Sequence, residues 1–317
     1  MRKLSVIILL LCCLCLPALC LAEEPLSILG VNFPAFDLAR TLAGGTAEVS
    51  MLLPPGSESH SYEPTPQDII AIQSADLFLY TGGGSDTWIE EILHSMGENA
   101  PRTFRLSDSV TLLEEEISQS MEHVHDHEHC EDESHDHSSH AEEMDEHVWT
   151  SPKNMMVIAK SLCETLSQLF PENAAVYAAN EATYQAELQK LDAAFGEIVA
   201  SGKRDLIIFG DRFPFRYFAA AYGLRYDAAF PGCSEDSEPS VRTVISLVDT
   251  VREQQIPTIF YIEFSSRRTA DILAEETGAK PLLFHSCHNV SAEEIAGGAT
   301  YLSLMWQNTH ALKEALN

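Results

Sequence analysis

Eight short apolar, β-prone runs are spread along the chain, four in each half, and helical patterns separate them. A strand followed by a helix and another strand returns the chain to the same edge of the sheet. The alternation therefore predicts an α/β fold of parallel βαβ units. In the first half the runs are SILGVNF from Ser27, VSMLLP from Val49, DLFLYTG from Asp76 and RTFRL from Arg102. In the second they are DLIIFG from Asp205, LRYDAAF from Leu224, TIFYIE from Thr258 and PLLFH from Pro281. Each half can supply a four-stranded parallel sheet flanked by helices, and a chain of 317 residues suits two such lobes.

Between the halves, Tyr177, Tyr184, Leu188, Leu191, Phe195 and Ile198 recur at intervals of seven, four, three, four and three. That spacing puts one apolar stripe on a helix of about 28 residues, ~40 Å long at 1.5 Å per residue. A single stiff strut joining the lobes is expected over residues 171–202, with an N-terminal lobe at 23–170 and a C-terminal lobe at 203–317.

The chain opens with Arg2 and Lys3, an apolar run and then EEP, the order of a secretory signal, so residues 1–22 are expected to be removed on export. Cleavage after Ala22 is the first expectation, and lipid attachment at Cys20 is the alternative. The protein is then periplasmic or held at the cell surface. Removing the leader leaves Cys130, Cys163, Cys233 and Cys287 in an oxidising compartment, where at most two disulfides can form. Cys233 and Cys287 both follow strands of the second lobe, and a disulfide between them is expected. Cys163 lies near an apolar stripe and reads as a buried thiol.

A formal net charge of −29 argues against nucleic acid as a partner, which needs a basic face. Fifteen of the 48 acidic residues fall between Arg105 and Lys153, where there is no Lys or Arg. Cations are the natural partners. Within that stretch HVHDHEHCEDESHDHSSH carries His123, His125, His127, His129, His135, His137 and His140 among six carboxylates. From about Glu114 to Glu146 the composition is too polar to offset its ordering entropy, so a disordered loop inserted in the first lobe is expected.

Loops at the carboxyl ends of parallel strands gather on one edge and form the binding crevice. His60 follows the second strand, Asp211 follows DLIIFG, Glu263 ends TIFYIE and His285 ends PLLFH. His147 stands where the acidic loop returns to a helix whose Ser151 and Pro152 read as cap and first turn. Three histidines from separated loops would make a site suited to Zn²⁺, which accepts tetrahedral sets of nitrogen and oxygen donors.

The segments GVNFPAFDLARTL, LLPPGSESHSYEPTPQDIIAIQSADLFLYTGGGSDTWI, EHVWTSPKNM, PENAAVYAANEATYQAEL and YLSLMWQN, with the histidine-rich acidic insert, resemble the zinc and manganese substrate-binding proteins of bacterial ABC importers. The resemblance runs from about residue 26 to 312. It implies two parallel-sheet lobes joined by one long helix, a metal held in the cleft, a membrane permease as partner and no catalysis. A monomer is expected.

The family's ligands carry over to His60 and His147. Its third histidine falls on Arg212, whose guanidinium donates only and cannot ligate. Its fourth ligand falls on His285, and Asp211 is the candidate to complete the set, with water or Glu263 competing. Arg212 and Glu263 can act behind the ligands, Arg212 by pairing with Asp211 or Glu263. His288, in FHSCHNVS, can replace His285 as ligand or support it. A thiolate from Cys287 is a weaker alternative.

Three imidazoles and at most one carboxylate favour Zn²⁺ over Mn²⁺. The insert reads as a loose collector of zinc, or a sensor of its abundance, for the cleft. A manganese receptor of the same family, a secreted zinc hydrolase using Glu263 as base, and a surface adhesin or metal store on the same fold are the other readings. Against a hydrolase, there is no HExxH and no triad-like nucleophile motif.

Overall fold

The computed structural model describes residues 25–58, 60–121, 144–234 and 238–317. The leader at 1–22 and the seven histidines between His123 and His140 lie outside the described residues. Among the described residues no helix is long and apolar enough to cross a membrane.

The first lobe runs β1 (Leu26–Gly30), α1 (Phe33–Ala43), β2 (Ala47–Met51), α2 (Pro66–Ser74), β3 (Leu77–Tyr80), α3 (Thr87–Met96) and β4 (Arg102–Arg105). Then come α4 (Pro152–Leu169) and α5 (Ala174–Ser201). The second lobe runs β5 (Leu206–Phe213), α6 (Arg216–Tyr222), β6 (Arg225–Pro231), α7 (Val241–Glu253), β7 (Thr258–Tyr261), α8 (Arg268–Thr277), β8 (Lys280–Leu283), α9 (Ala292–Ala296) and α10 (Tyr301–Leu316). The two sheets have equivalent orders, β2-β1-β3-β4 and β6-β5-β7-β8, and every pairing is parallel. All eight apolar runs are strands, and the two-lobed α/β expectation holds.

Central strands such as β3 are buried on both faces, which is why they read as continuous apolar runs rather than alternating ones. The helices start where capping chemistry allows. Asn32 accepts from the Ala35 amide before α1, Thr65 and Asp68 form a reciprocal capping box before α2, and Ser151 accepts from the Asn154 amide before α4.

Helix α5 is 28 residues long and buries Tyr177, Tyr184, Leu188, Leu191 and Phe195 of the predicted stripe, with Ile198 half-buried. Removing each from water contributes roughly 1.5–3 kcal/mol before ordering costs. It packs against α1, α4, α6 and α10. One continuous apolar cluster results, running from Ile28 and Leu77 through Leu188 and Phe195 to Phe209 and Phe284.

The acidic segment departs from expectation at both ends. Glu114 bridges Met144, and the Asp145 amide donates to the Leu113 carbonyl. Ser118, Ser120 and Met121 lie buried, with Gln119 between them exposed. Asp227, on edge strand β6, accepts from the hydroxyls of Ser118 and Ser120, both at 2.6 Å, and from the Ser120 amide at 3.2 Å. The expected disordered loop over Glu114–Glu146 is therefore corrected over 114–121 and 144–146. Two serines with one buried carboxylate between them fix the strap, so polar groups that satisfy one another order a stretch with little apolar surface to bury.

Candidate metal centre

His60, His147 and His288 converge between the lobes. Their ring centroids are 5.5 Å (His60 to His147), 5.2 Å (His60 to His288) and 5.5 Å (His147 to His288) apart. One ring nitrogen from each lies within 4.8 Å of the others, a spacing that a single cation can bridge. His60 comes from the loop after β2, His147 from the turn before α4, and His288 from the loop after β8.

The groups behind the rings leave lone pairs for a cation. Asp145 Oδ1 lies 3.2 Å from His147 Nδ1 and also accepts the His147 amide at 2.8 Å. With Nδ1 donating, Nε2 carries the lone pair, and that nitrogen is buried with no hydrogen-bond partner among the described residues. An orphaned acceptor in a dry site is costly unless a ligand completes it. His60 Nδ1 lies 2.7 Å from Ser85 Oγ, which donates to Glu146 at 2.5 Å, so a second carboxylate orients His60 through the serine. Glu146 comes close enough because Gly83 has no side chain, and a Cβ there would lie 2.3 Å from Glu146 Cβ.

Burial, followed by the nearby His147, lowers His60 to about 4. Burial and the His60 and His147 rings hold His288 well below the usual imidazole range. Both are neutral at pH 7 and able to ligate. At His147 burial also opposes protonation, but Asp145 outweighs it and the pKa is raised. The Trp149 ring backs the cluster 4.9 Å from His288 and donates its indole N–H to the Ser286 carbonyl at 2.8 Å.

The loop after β8 decides which histidine takes part. Glu263 accepts from the Ser286 amide at 2.8 Å, the Ser286 hydroxyl at 2.5 Å and the His288 amide at 3.3 Å. Cys287 adopts φ +61°, a left-handed conformation that reverses the chain. The turned loop then docks on the first lobe. Phe33 donates to the His288 carbonyl, and the Asn289 amide donates to the carbonyls of Pro54 and Ser57.

His285 does not join the cluster, which corrects its assignment as a ligand. Asn308 fixes its backbone on both sides, its Nδ1 accepts from the Cys287 amide at 2.9 Å, and its Nε2 faces Glu294 at 3.6 Å. The expected fourth ligand Asp211 is also displaced. Strand β5 continues through a register shift between Phe209 and Arg212, and Asp211 accepts from the Arg212 and Ile262 amides inside the sheet. Arg212 pairs with neither Asp211 nor Glu263. Its guanidinium donates to Glu58 at 2.7 Å and to the Ser234 carbonyl at 3.3 Å. Glu263 holds the His288 loop through its bonds from Ser286 and the His288 amide.

Cys233 and Cys287 are both free thiols, so the expected disulfide between them is absent. Cys163 is half-buried rather than enclosed. The sequence reading missed Asp145, Glu146, Ser85 and Glu58. The adjacency of Asp145 and Glu146 to His147 was the available signal, since metal-bound imidazoles take a carboxylate partner.

The cluster lines a cavity of about 30 Å³, room for an ion with a water rather than for an organic molecule. Outward it meets a wider cleft of about 230 Å³ bordered by Arg212, Phe264, Arg267 and Arg268.

Two parallel-sheet lobes on a shared helix, with a small imidazole-lined cavity between them, define the class of two-lobed substrate-binding proteins. A family model described as zinc-uptake complex component A, periplasmic (ZnuA), matches residues 31–315, and the chain belongs to that family. It is 30% identical over 293 residues to the high-affinity zinc uptake system protein ZnuA of Bacillus subtilis, covering 92% of this chain and 88% of that protein. It is 31% identical over 317 residues to the zinc-binding lipoprotein AdcA of Streptococcus pneumoniae, covering 99% of this chain; it spans only 61% of that relative's length. The Zn(II)-bound ZnuA-like domain of S. pneumoniae AdcA superposes with a TM-score of 0.75 at 27% identity, over 92% of this chain and 99% of that one. The metal-dependent lipoprotein YcdH of B. subtilis gives 0.75 at 29% identity, over 92% and 100%.

Proposed function

We propose that this protein is an extracytoplasmic receptor that captures Zn²⁺ in the cleft and delivers it to a membrane permease powered by a cytoplasmic ATPase. The observation that carries the reading is the convergence of His60 and His288 on His147, whose buried Nε2 has no hydrogen-bond partner among the described residues. Three imidazoles suit Zn²⁺ better than Mn²⁺, which prefers oxygen donors. Water in the cavity supplies the fourth position. The zinc named in the relatives and the family description supports the same ion. Relatives named as lipoproteins favour anchoring through Cys20 over simple release after Ala22.

Calorimetric titration of the full chain tests the reading. Zn²⁺ is expected to bind more tightly than Mn²⁺ by orders of magnitude, and equal affinities would remove it. The histidine-rich insert gathers zinc loosely for the cleft. Deleting residues 122–143, which spares the docked strap, is expected to lower the zinc stoichiometry while one tight site persists; loss of the tight site would overturn that division of roles.

A hydrolase would need a carboxylate free to act as base beside the ion. Glu263 has both oxygens engaged by the loop that carries His288, so it is not free to act as that base.

A further inference from the structure

His60 belongs to a second convergent group. One ligand atom each from His60, Glu146 and Cys233 lie within 4.8 Å of one another. The His60 Nδ1 edge lies 3.6 Å from Glu146 Oε1, and Glu146 is only 3% exposed. Cys233 is brought in by the turn after β6. Glu115 accepts its amide at 3.0 Å, and Gly232 lets the turn press close, since a Cβ there would lie 2.9 Å from the Phe213 carbonyl and 3.3 Å from the His147 ring. Burial, followed by the carboxylates of Glu146, Glu115 and Asp145, holds the Cys233 thiol well above its usual range in the metal-free protein, and the same negative field favours a dication. Glu115, Asp145 and Glu146 stand on the two stretches that flank the histidine-rich insert.

We propose that His60, Glu146 and Cys233 form a second metal position, with nitrogen, oxygen and sulfur donors, that shares His60 with the three-histidine position. It rests on the zinc-receptor reading for the role of its neighbour, and it deepens that reading. An ion arriving along the acidic strap meets Glu146 and Cys233 first. It then moves to the imidazole set by exchanging those two ligands for His147 and His288. As the metal–sulfur and metal–nitrogen bonds form, the Cys233 thiol proton passes to water and the His60 proton shifts through water from Nδ1 to Nε2; both return when the ion moves on to the imidazole set. Softer divalent ions are held at the sulfur position, because thiolate donors select them over harder ones. The two positions thus separate Zn²⁺, which is passed forward, from softer ions, which stay behind.

Cobalt(II) reports the position directly, since a thiolate ligand adds a near-ultraviolet charge-transfer band that nitrogen and oxygen donors lack. The reduced full chain is titrated with Co²⁺ as wild type, as His288→Ala, and as His288→Ala combined with Cys233→Ser. His288→Ala is expected to bind Co²⁺ with a strong thiolate band, and adding Cys233→Ser is expected to abolish it. A His288→Ala protein without the band, or a band that survives Cys233→Ser, would overturn the sulfur position. The receptor reading is scored separately by Zn²⁺ competition: it fails if His288→Ala and wild type hold Zn²⁺ equally well, whatever the cobalt spectra show.

Discussion

Arg212 and Glu58 reach toward each other from opposite lobes and pair at 2.7 Å over the mouth of the three-imidazole cavity. The carboxylate is partly exposed, at 40%, so the pair is screened and worth no more than ~1 kcal/mol. Glu58→Gln removes a negative charge near the cation and leaves the guanidinium uncompensated, so both effects weaken binding. Zinc affinity is expected to fall about two- to fivefold, with faster dissociation in stopped-flow chelator exchange. An unchanged dissociation rate would mean that the pair does not guard the cleft.

Asp145 fixes the tautomer of His147 without touching the cation. Asp145→Asn keeps an oxygen for the His147 amide but loses the charge behind the ring. Zinc affinity is expected to fall ~10–100-fold, read by competition with a chromophoric chelator, while the unfolding temperature of the metal-free protein changes little. A loss of stability equal to the loss of affinity would assign Asp145 a purely structural role.

His288 and His285 stand three residues apart and are expected to separate cleanly. His288→Ala removes a ligand and should weaken zinc by more than the ~100-fold that losing the group behind a ligand costs. His285→Ala leaves the cluster complete but strips the Cys287 amide of its acceptor, so it should lower the unfolding temperature with zinc affinity largely kept. The opposite pattern in calorimetry and thermal melts would restore His285 as the ligand.

Acid should act on the metal-free protein through His60. Its folded pKa of about 4 lies below the ~6.5 of an unfolded histidine, so between these values the unfolded chain binds the extra proton. The contribution of His60 is fully present above about pH 6.5 and is lost as pH falls toward 4. Asp86, raised by burial to about 7, tilts the total the other way, so the informative quantity is the difference between wild type and His60→Asn. Wild type is expected to lose stability relative to His60→Asn from pH 7 to pH 5 in denaturant melts; a constant difference would refute the assignment.

The strands and the long helix were legible because burial repeats along the chain with a fixed period. Tyr184, Leu188 and Leu191 face the core wherever the helix goes, and apolar β3 can only be a buried strand. His60 and His147 were legible because each sits in a distinctive local segment. His288 was not separable from His285, because the choice depends on groups far away in the chain. Asn308 holds back His285, while Glu263 and the left-handed Cys287 turn His288 toward Pro54 and Ser57. Asp211 was misplaced for a similar reason: an irregularity in β5 turns a residue expected in a loop into an acceptor inside the sheet.

The apolar cluster that runs without a break from Ile28 to Phe284 couples two lobes that are separate in topology, and one cooperative transition is expected of them. The two sheets share α5 through this cluster and are expected to melt together. Occupancy of the cleft should therefore be felt as a shift of one global transition, and far-ultraviolet and tryptophan signals should report the same midpoint.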